Sequence, residues 1–318
     1  MLTSRAQPVP ARRTRRRAGM LPRGRYGEHP LLPYLMVLPH FFFFVIFVCY
    51  AAVFSFWISL HEFDFLIPHK PFVGLRQYQA IFNPTKLLHD YFWNSLYHTF
   101  VFVLWSAPVA IVVSVLLALL LNSKVRGRDV FRSIYLTPWL LSVAAASLLW
   151  RLIFADPDQG ILNLLLKHLG IPQVSFFADM PWPWLTITAD VLWQGLGFNI
   201  IVVLAGLQGI PSILYEAAAI DGAGWWANFR HVTLPGLRAV LLFLIITQLL
   251  GSFNIFPQAQ LMTQGGPGDE TTPMMMRIYE IGFQDYHVGS AAAMSFIFGL
   301  ILAVFSLISF RLLRTERS

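Results

Sequence analysis

The chain is poor in cysteine: Cys49 stands alone, inside an apolar run, which excludes an internal disulfide and a cysteine metal cluster. Charge is scarce too. Charged residues make up 12% of the 318, about half the share of an ordinary globular chain, while hydrophobic residues reach 56% and mean hydropathy is +0.60. A soluble fold this apolar would lack the charged groups needed to cover its surface. Catalytic signatures are missing as well. The nine histidines are scattered, with no HExxH and no HxxxH pair beside acids. No GxSxG elbow and no GxxxxGK[ST] phosphate loop occurs, so a membrane enzyme has no constellation to work with.

A formal charge of +7 and a pI of about 9.8 would suit nucleic acid if the cations were spread over a fold. They are instead concentrated in the first 25 residues, at Arg5, Arg12, Arg13, Arg15, Arg16, Arg17, Arg23 and Arg25. A basic leader before a hydrophobic run reads as a topology signal, not as a nucleic-acid surface. It is not a secretory signal, because the following run is too long and no small-x-small cleavage site closes it. Residues 1–30 are expected to form a disordered basic tail.

What the chain has in abundance is long apolar runs. Six stretches, roughly 33–60, 95–121, 133–154, 184–209, 237–261 and 290–312, are long enough to cross about 30 Å of hydrocarbon. They are continuous and far longer than the alternating segments of a barrel, so helices are expected throughout. The fold class is an all-α membrane protein with six transmembrane helices, the membrane domain covering 31–314. Pro108 and Pro138 fall near or inside spans two and three, where kinks are tolerated. With the N-terminus in the cytoplasm, 17 of the 23 lysines and arginines lie inside, including Lys124, Arg126, Arg128 and Arg132 in the loop after span two. A multi-pass cell-membrane protein with both termini cytoplasmic follows.

The cytoplasmic loop 210–236 reads as a short helix, a glycine turn and a second short helix. Ser212 is expected to cap the first helix. Ala217, Ala218 and Ala219 favour helix and leave room for another protein's close approach. Gly222 supplies the reversal, and Pro235 is expected to stop the second helix before span five. By composition alone, an amphipathic helix lying at the lipid interface is as good a reading.

The spacing decides more. Glu216-Ala217-Ala218, Gly222 and Val232-Thr233-Leu234-Pro235 resemble the EAA motif of binding-protein-dependent ABC importer permeases, with valine in place of isoleucine. Ala205-Gly206-Leu207-Gln208 with Ile210-Pro211, and Thr263-Gln264-Gly265-Gly266-Pro267-Gly268 ahead of Ile278-Tyr279, resemble the sugar-uptake branch of that family. So do Phe72-Val73-Gly74-Leu75 and Gly289-Ser290-Ala291-Ala292-Ala293-Met294. The likeness spans about 33–314. The Gly-Gly-Pro segment points to the first-permease subunit type of maltose importers.

The resemblance implies a MetI-like permease fold and a heterodimer with a second permease subunit. It further implies two ATPase subunits beneath, an extracytoplasmic solute-binding protein above and a sugar as cargo. The loop residues Glu216, Ala217, Ala218, Asp221, Gly222, Leu234 and Pro235 would couple to the ATPase. ATP and Mg would belong to that partner, and this chain would bind no cofactor and no metal. Glu216 offers a carboxylate for a charge-assisted bond to an ATPase arginine; local pairing with Arg230 is the structural alternative.

Polar groups within spans four and five mark a candidate substrate path: Gln194, Gly195, Phe198, Asn199, Gln248, Gly251, Ser252 and Asn254. An amide beside an aromatic ring suits a sugar, although such groups also serve as interhelical glue. Asp190 and Arg151 read as structural charges that snorkel or pair with one another. A permease for glycerol-3-phosphate or another polyol is the first rival. It is weakened because 184–229 contains no basic residue. An ion-coupled secondary transporter is the second rival; it would have no use for an EAA loop.

Overall fold

The structure is a computed structural model of the chain and describes residues 32–66, 68–122 and 127–315. The basic leader, together with Lys124 and Arg126, lies outside the described residues. All regular elements among the described residues are helices; the β pairing is limited to isolated bridges, His61 to Phe72 and Asp64 to His287.

The chain forms two units. The first ends at Val53 and contains most of α1 (Tyr34–Ser59), a helix with a π-helical segment at Val45–Tyr50. Its side chains are apolar nearly all round, which is the composition of a helix surrounded by lipid or by other helices.

The second unit, Phe54–Ser318, holds the remaining elements. A short helix α2 (Arg76–Phe82) leads to α3 (Leu87–Asn122), about 54 Å long at 1.5 Å per residue. Its extension below residue 95 is held by α2, because His89 Nδ1 and Trp93 Nε1 both reach the Ile81 carbonyl, at 2.9 and 3.3 Å. The buried stripe of α3 runs through Ser95, Thr99, Phe102, Ser106, Ala110, Ser114 and Ala118, at spacings of three and four. Small side chains there let neighbouring helices approach closely. Thr99 and Ser114 return their hydroxyl protons to the carbonyls of Ser95 and Ala110, so neither is left unpaired.

The third apolar run is not one straight span. It is α4 (Val130–Leu140) and α5 (Val143–Ile153), bent by 103° at the join. Pro138 tightens the end of α4 into a 3-10 turn, Leu141 is extended, and Ser142 starts a new helix by accepting the Ala145 amide at 3.2 Å. After a short helix α6 (Ile161–His168) comes α7 (Trp182–Gln208), the axis of the unit. It packs along α3 and receives the backbone of α4 at Gly197, where a Cβ would lie 2.3 Å from the Tyr135 carbonyl.

The fourth connection contains α8 (Ser212–Ile220) and α9 (Trp225–Gly236); α9 meets α10 (Arg238–Ser252) at 67°. The fifth run also breaks. The chain turns at Phe253–Ile255 and resumes as α11 (Phe256–Met262), with Pro257 in its first turn, where a missing donor is harmless. The last elements are α12 (Met274–Tyr279), which continues into a π-helical segment at Glu280–Gln284, and α13 (Val288–Thr315). Among the described residues, four helices are long and apolar enough to cross a membrane, and six spans result if each bent pair is one. The six-helix, all-α reading stands, with breaks inside the third and fifth apolar runs.

Candidate functional site: the α8–α9 hairpin and the polar groups of α7 and α10

The hairpin α8–α9 is built by local chemistry. Gly222 has φ +76°, the Ala223 amide donates to the Ala218 carbonyl at 2.9 Å, and the Gly222 amide donates to Ala219 at 3.1 Å. This is a Schellman ending, which consumes the carbonyls that α8 would otherwise leave unpaired. A Cβ on Gly222 meets nothing within 4 Å, so the demand for glycine is one of backbone conformation, not space. Tyr215 and Thr233 hydroxyls lie 3.0 Å apart and pin α8 to α9. Two expectations need correcting. Ser212 does not cap α8; Pro211, already extended, takes the cap position with no side-chain bond, because the helix begins at Ser212 itself, one residue earlier than a serine cap requires. Pro235 does not stop the second helix. The turn before it widens into a π-helical segment at Phe229–Thr233, and the helical run reaches Gly236 before bending at buried Leu237.

The outward face of this hairpin is open. Glu216, Ala217 and Asp221 are exposed, and neither Glu216 nor Arg230 has an ion partner among the described residues. Ile220 is 87% exposed, Trp225 70% and Trp226 61%, with Trp225 stacked on Phe229 at 5.8 Å. Leu234 and Pro235 are exposed at the far end of α9.

The polar residues of α7 and α10 divide into two sets. Asn199 Nδ2 donates to Gln248 Oε1 at 3.3 Å, and Ser106 Oγ donates to Ser252 Oγ at 3.3 Å, so these groups tie α7 and α3 to α10. Asn254 falls in the turn after α10, not on its helical face, because the helix ends at Ser252. Gln194, Gly195 and Phe198 form the second set, on one face of α7. Phe198 stacks on Trp139 at 6.0 Å, and Gln194 Nε2 is buried with no partner among the described residues. The Cβ positions of Gly195 and Gly251 both face open space.

Asp190 and Arg151 do not pair with one another. Asp190 Oδ2 accepts from Ser147 Oγ at 2.7 Å, while Arg151 Nη1 donates to the Leu261 carbonyl at 3.1 Å and so closes the end of α11.

Sequence reasoning missed a buried cation. Arg277, 9% exposed, binds Asp269 at 2.8 Å and Glu280 at 2.9 Å, approaches Ser95 Oγ at 3.4 Å, and lies 4.6 Å over the Tyr91 ring. Burial pushes the Glu280 carboxyl above the ordinary carboxylate range, and the Arg277 charge pulls it partly back. The neighbouring Gly265–Thr272 segment folds into a cup, with the buried Thr271 hydroxyl donating to the Gly266 carbonyl at 2.6 Å. The Gly-Gly-Pro spelling marks the neighbouring loop but carries no signal for Arg277.

Residues 87–315 match the model of the family described as binding-protein-dependent transport system inner membrane component. The chain belongs to this family. It is the permease subunit of a binding-protein-dependent ABC importer, embedded in a membrane through several apolar helices. The permease is 35% identical to the trehalose/maltose transport system permease protein MalF of Thermococcus litoralis, covering 82% of this chain and 86% of that one. It is 33% identical to the arabinooligosaccharides transport system permease protein AraP of Bacillus subtilis, over 88% of each chain. A third relative, the sn-glycerol-3-phosphate transport system permease protein UgpA of Yersinia pestis, is 33% identical over 88% of this chain and 93% of its own. In fold, the permease is similar to a chain of the bacterial alginate ABC transporter solved with an alginate pentasaccharide-bound periplasmic protein. The TM-score is 0.75 at 23% identity, covering 87% and 92% of the two chains.

Proposed function

We propose that this permease imports a sugar, pairing with a second permease subunit above two separate ATPase subunits. The cargo is handed over by an extracytoplasmic binding protein. The observation that carries the coupling role is the α8–α9 hairpin: a helix ended at Gly222, pinned by Tyr215, and presenting Glu216 and the apolar Ile220 without a partner among the described residues. Such a face suits insertion into a groove of another protein, with the alanines allowing close approach and the carboxylate fixing register. ATP and Mg are then used by the partner, and hydrolysis there tilts the spans through α8 and α9. On this reading both termini and the hairpin are cytoplasmic.

A sugar is favoured over a phosphorylated polyol by the path. Neither α7 nor α10 beyond Arg238 contains a lysine or arginine, and the buried Arg277 is already held by two carboxylates. Gln194, Gly195, Phe198, Gln248 and Gly251 offer amides, an aromatic ring and open space, a set that suits hydroxyls and C–H faces. The test is uptake by the reconstituted importer of labelled maltose, trehalose and glycerol 3-phosphate. Uptake of a sugar is expected; uptake of glycerol 3-phosphate alone overturns the sugar assignment.

A further inference from the structure

The seam where α5, α7 and α11 meet holds polar groups that nothing else among the described residues uses. Asp190 is 0% exposed, and Ser147 engages only its Oδ2; Oδ1 has no partner there. Trp150 Nε1, one turn beyond Ser147 on α5, is buried and equally unpartnered. So is Gln258 Oε1 on α11, in a residue 9% exposed. The surroundings are apolar: Ile187, Val191, Ala259 and Trp150 itself belong to a single hydrophobic cluster. Polar atoms kept unpaired in such surroundings are costly unless something completes them.

Along the seam, Asp190 Oδ1 and Gln258 Oε1 are acceptors and Trp150 Nε1 a donor, a set that suits a hydroxyl group, which both gives and takes a hydrogen bond. The indoles of Trp150 and Trp193, edge to face at 5.8 Å, add apolar surface of the kind C–H faces pack against. A groove lies beside the seam. It measures about 610 Å³ and opens between α5 and α11, with Leu148, Leu152, Phe177 and Met262 as its walls and Arg151 and Gln159 as polar lining. Phe177 and Met262 belong to the same cluster as Trp150, so the groove shares part of its wall with the apolar surroundings of the seam. It lies at the end of α7 away from α8, since α8 follows Gln208 and the groove is built by the segments before Trp182 and after Ser252.

We propose that this seam is a second hydroxyl-binding subsite for the transported solute, reached from the groove before the level of Gln194 and Phe198, with Asp190 as its main acceptor. This rests on the polyhydroxyl cargo assigned above. Ser147 Oγ occupies the position on Oδ2 that a solute hydroxyl takes when α5 and α11 part from α7. Both are suited to parting: α5 is joined to α4 through the 103° bend, and α11 is a seven-residue helix set off by the break at Phe253–Ile255.

The test uses the complete importer in vesicles, with its partner permease, ATPase and binding protein, on a Cys49→Ser background. Gln258→Cys, and Leu148→Cys on the groove wall as a second position, are labelled from the groove side with a membrane-impermeant methanethiosulfonate reagent. Maltose, trehalose and glycerol 3-phosphate are the probes. Labelling is expected during ATP turnover and is expected to slow at least threefold with whichever probe is transported. No labelling at either position in any state, or labelling indifferent to a transported probe, overturns the subsite. Glycerol 3-phosphate as the sole transported and protecting probe supports the subsite and overturns the sugar assignment alone. Independently, Trp150→Phe should lower uptake about 2- to 12-fold, the worth of a neutral hydrogen bond, and Asp190→Asn should lower it at least as much. Asp190→Asn that takes up solute like the parent, or that no longer assembles, makes Asp190 structural and overturns the proposal.

Discussion

Asn199 donates to Gln248 across 3.3 Å, and the bond ties α7 to α10 in the half of the bundle where solute is expected to pass. Each amide is half satisfied by the other: the bond uses Asn199 Nδ2 and Gln248 Oε1 and leaves Asn199 Oδ1 and Gln248 Nε2 outside it. Helix tie and solute contact therefore draw on different atoms of the same side chains.

Substitution separates them. Gln248→Ala and Gln194→Ala are expected to reduce sugar uptake partially, with the complex still assembling, because a neutral hydrogen bond contributes about 0.5–1.5 kcal/mol. Asn199→Ala should lower the thermal midpoint of the purified complex as much as Gln248→Ala does while costing less uptake. Uptake at the parental rate in Gln248→Ala, with the same thermal loss as Asn199→Ala, would assign Gln248 to helix packing.

Sidedness is tested by fused reporters. A reporter placed after residue 220 should report cytoplasm, and reporters after 75, 165 and 270 the opposite side. An external signal at 220 would falsify the coupling role, since the ATPase would be on the wrong side of the membrane. Given the expected sidedness, Glu216→Lys reverses the only charge between Ser212 and Ile220. It should abolish solute-stimulated ATP hydrolysis while the permease still inserts, because the hairpin lies outside the hydrocarbon.

The parts of the fold that local chemistry determines were legible in the sequence. Long apolar runs can only be helices in lipid, and the Ala217–Gly222 spelling carries its own turn. Breaks within apolar runs were not legible. Residues 138–143 read Pro-Trp-Leu-Leu-Ser-Val, hydrophobic enough to span, yet Ser142 caps a new helix there at 103° to the last. The turn at Phe253–Ile255 hides in the same way. Long-range pairs were beyond any window: Ser147 with Asp190 is 43 residues apart, and Arg277 with Ser95 is 182. Arg151 and Asp190 read as charges that snorkel or pair with one another; packing gave each a different companion.

Arg277 should be an anchor and not a solute ligand. Its guanidinium joins the loop at Asp269 and the helix end at Glu280 to the α3 extension through Ser95 and Tyr91. Removing one partner of a buried pair costs about 3–5 kcal/mol, and the exposure of Asp269 places Arg277→Met at the low end. The expected result is a lower thermal midpoint, with Arg277→Lys recovering part of it because the charge remains but the forked geometry does not. An unchanged midpoint in Arg277→Met would remove the anchor role.

Gly222 offers the sharpest test of the hairpin, because conformation and space point to different outcomes. Its φ of +76° is the left-handed region, and the Ala223-to-Ala218 bond closes only if that residue reverses the chain. A β-branched side chain there costs about 1–2 kcal/mol, although no atom lies within 4 Å of the Cβ position. Were space the constraint, any side chain would be tolerated. Since conformation is the constraint, Gly222→Val should displace α8 and lose solute-stimulated ATP hydrolysis, while Gly222→Asn, which tolerates the left-handed region, should keep most of it. Equal activity in the two variants would show that the Schellman ending has no part in coupling. Loss in valine with retention in asparagine ties the turn at Gly222 directly to the ATPase.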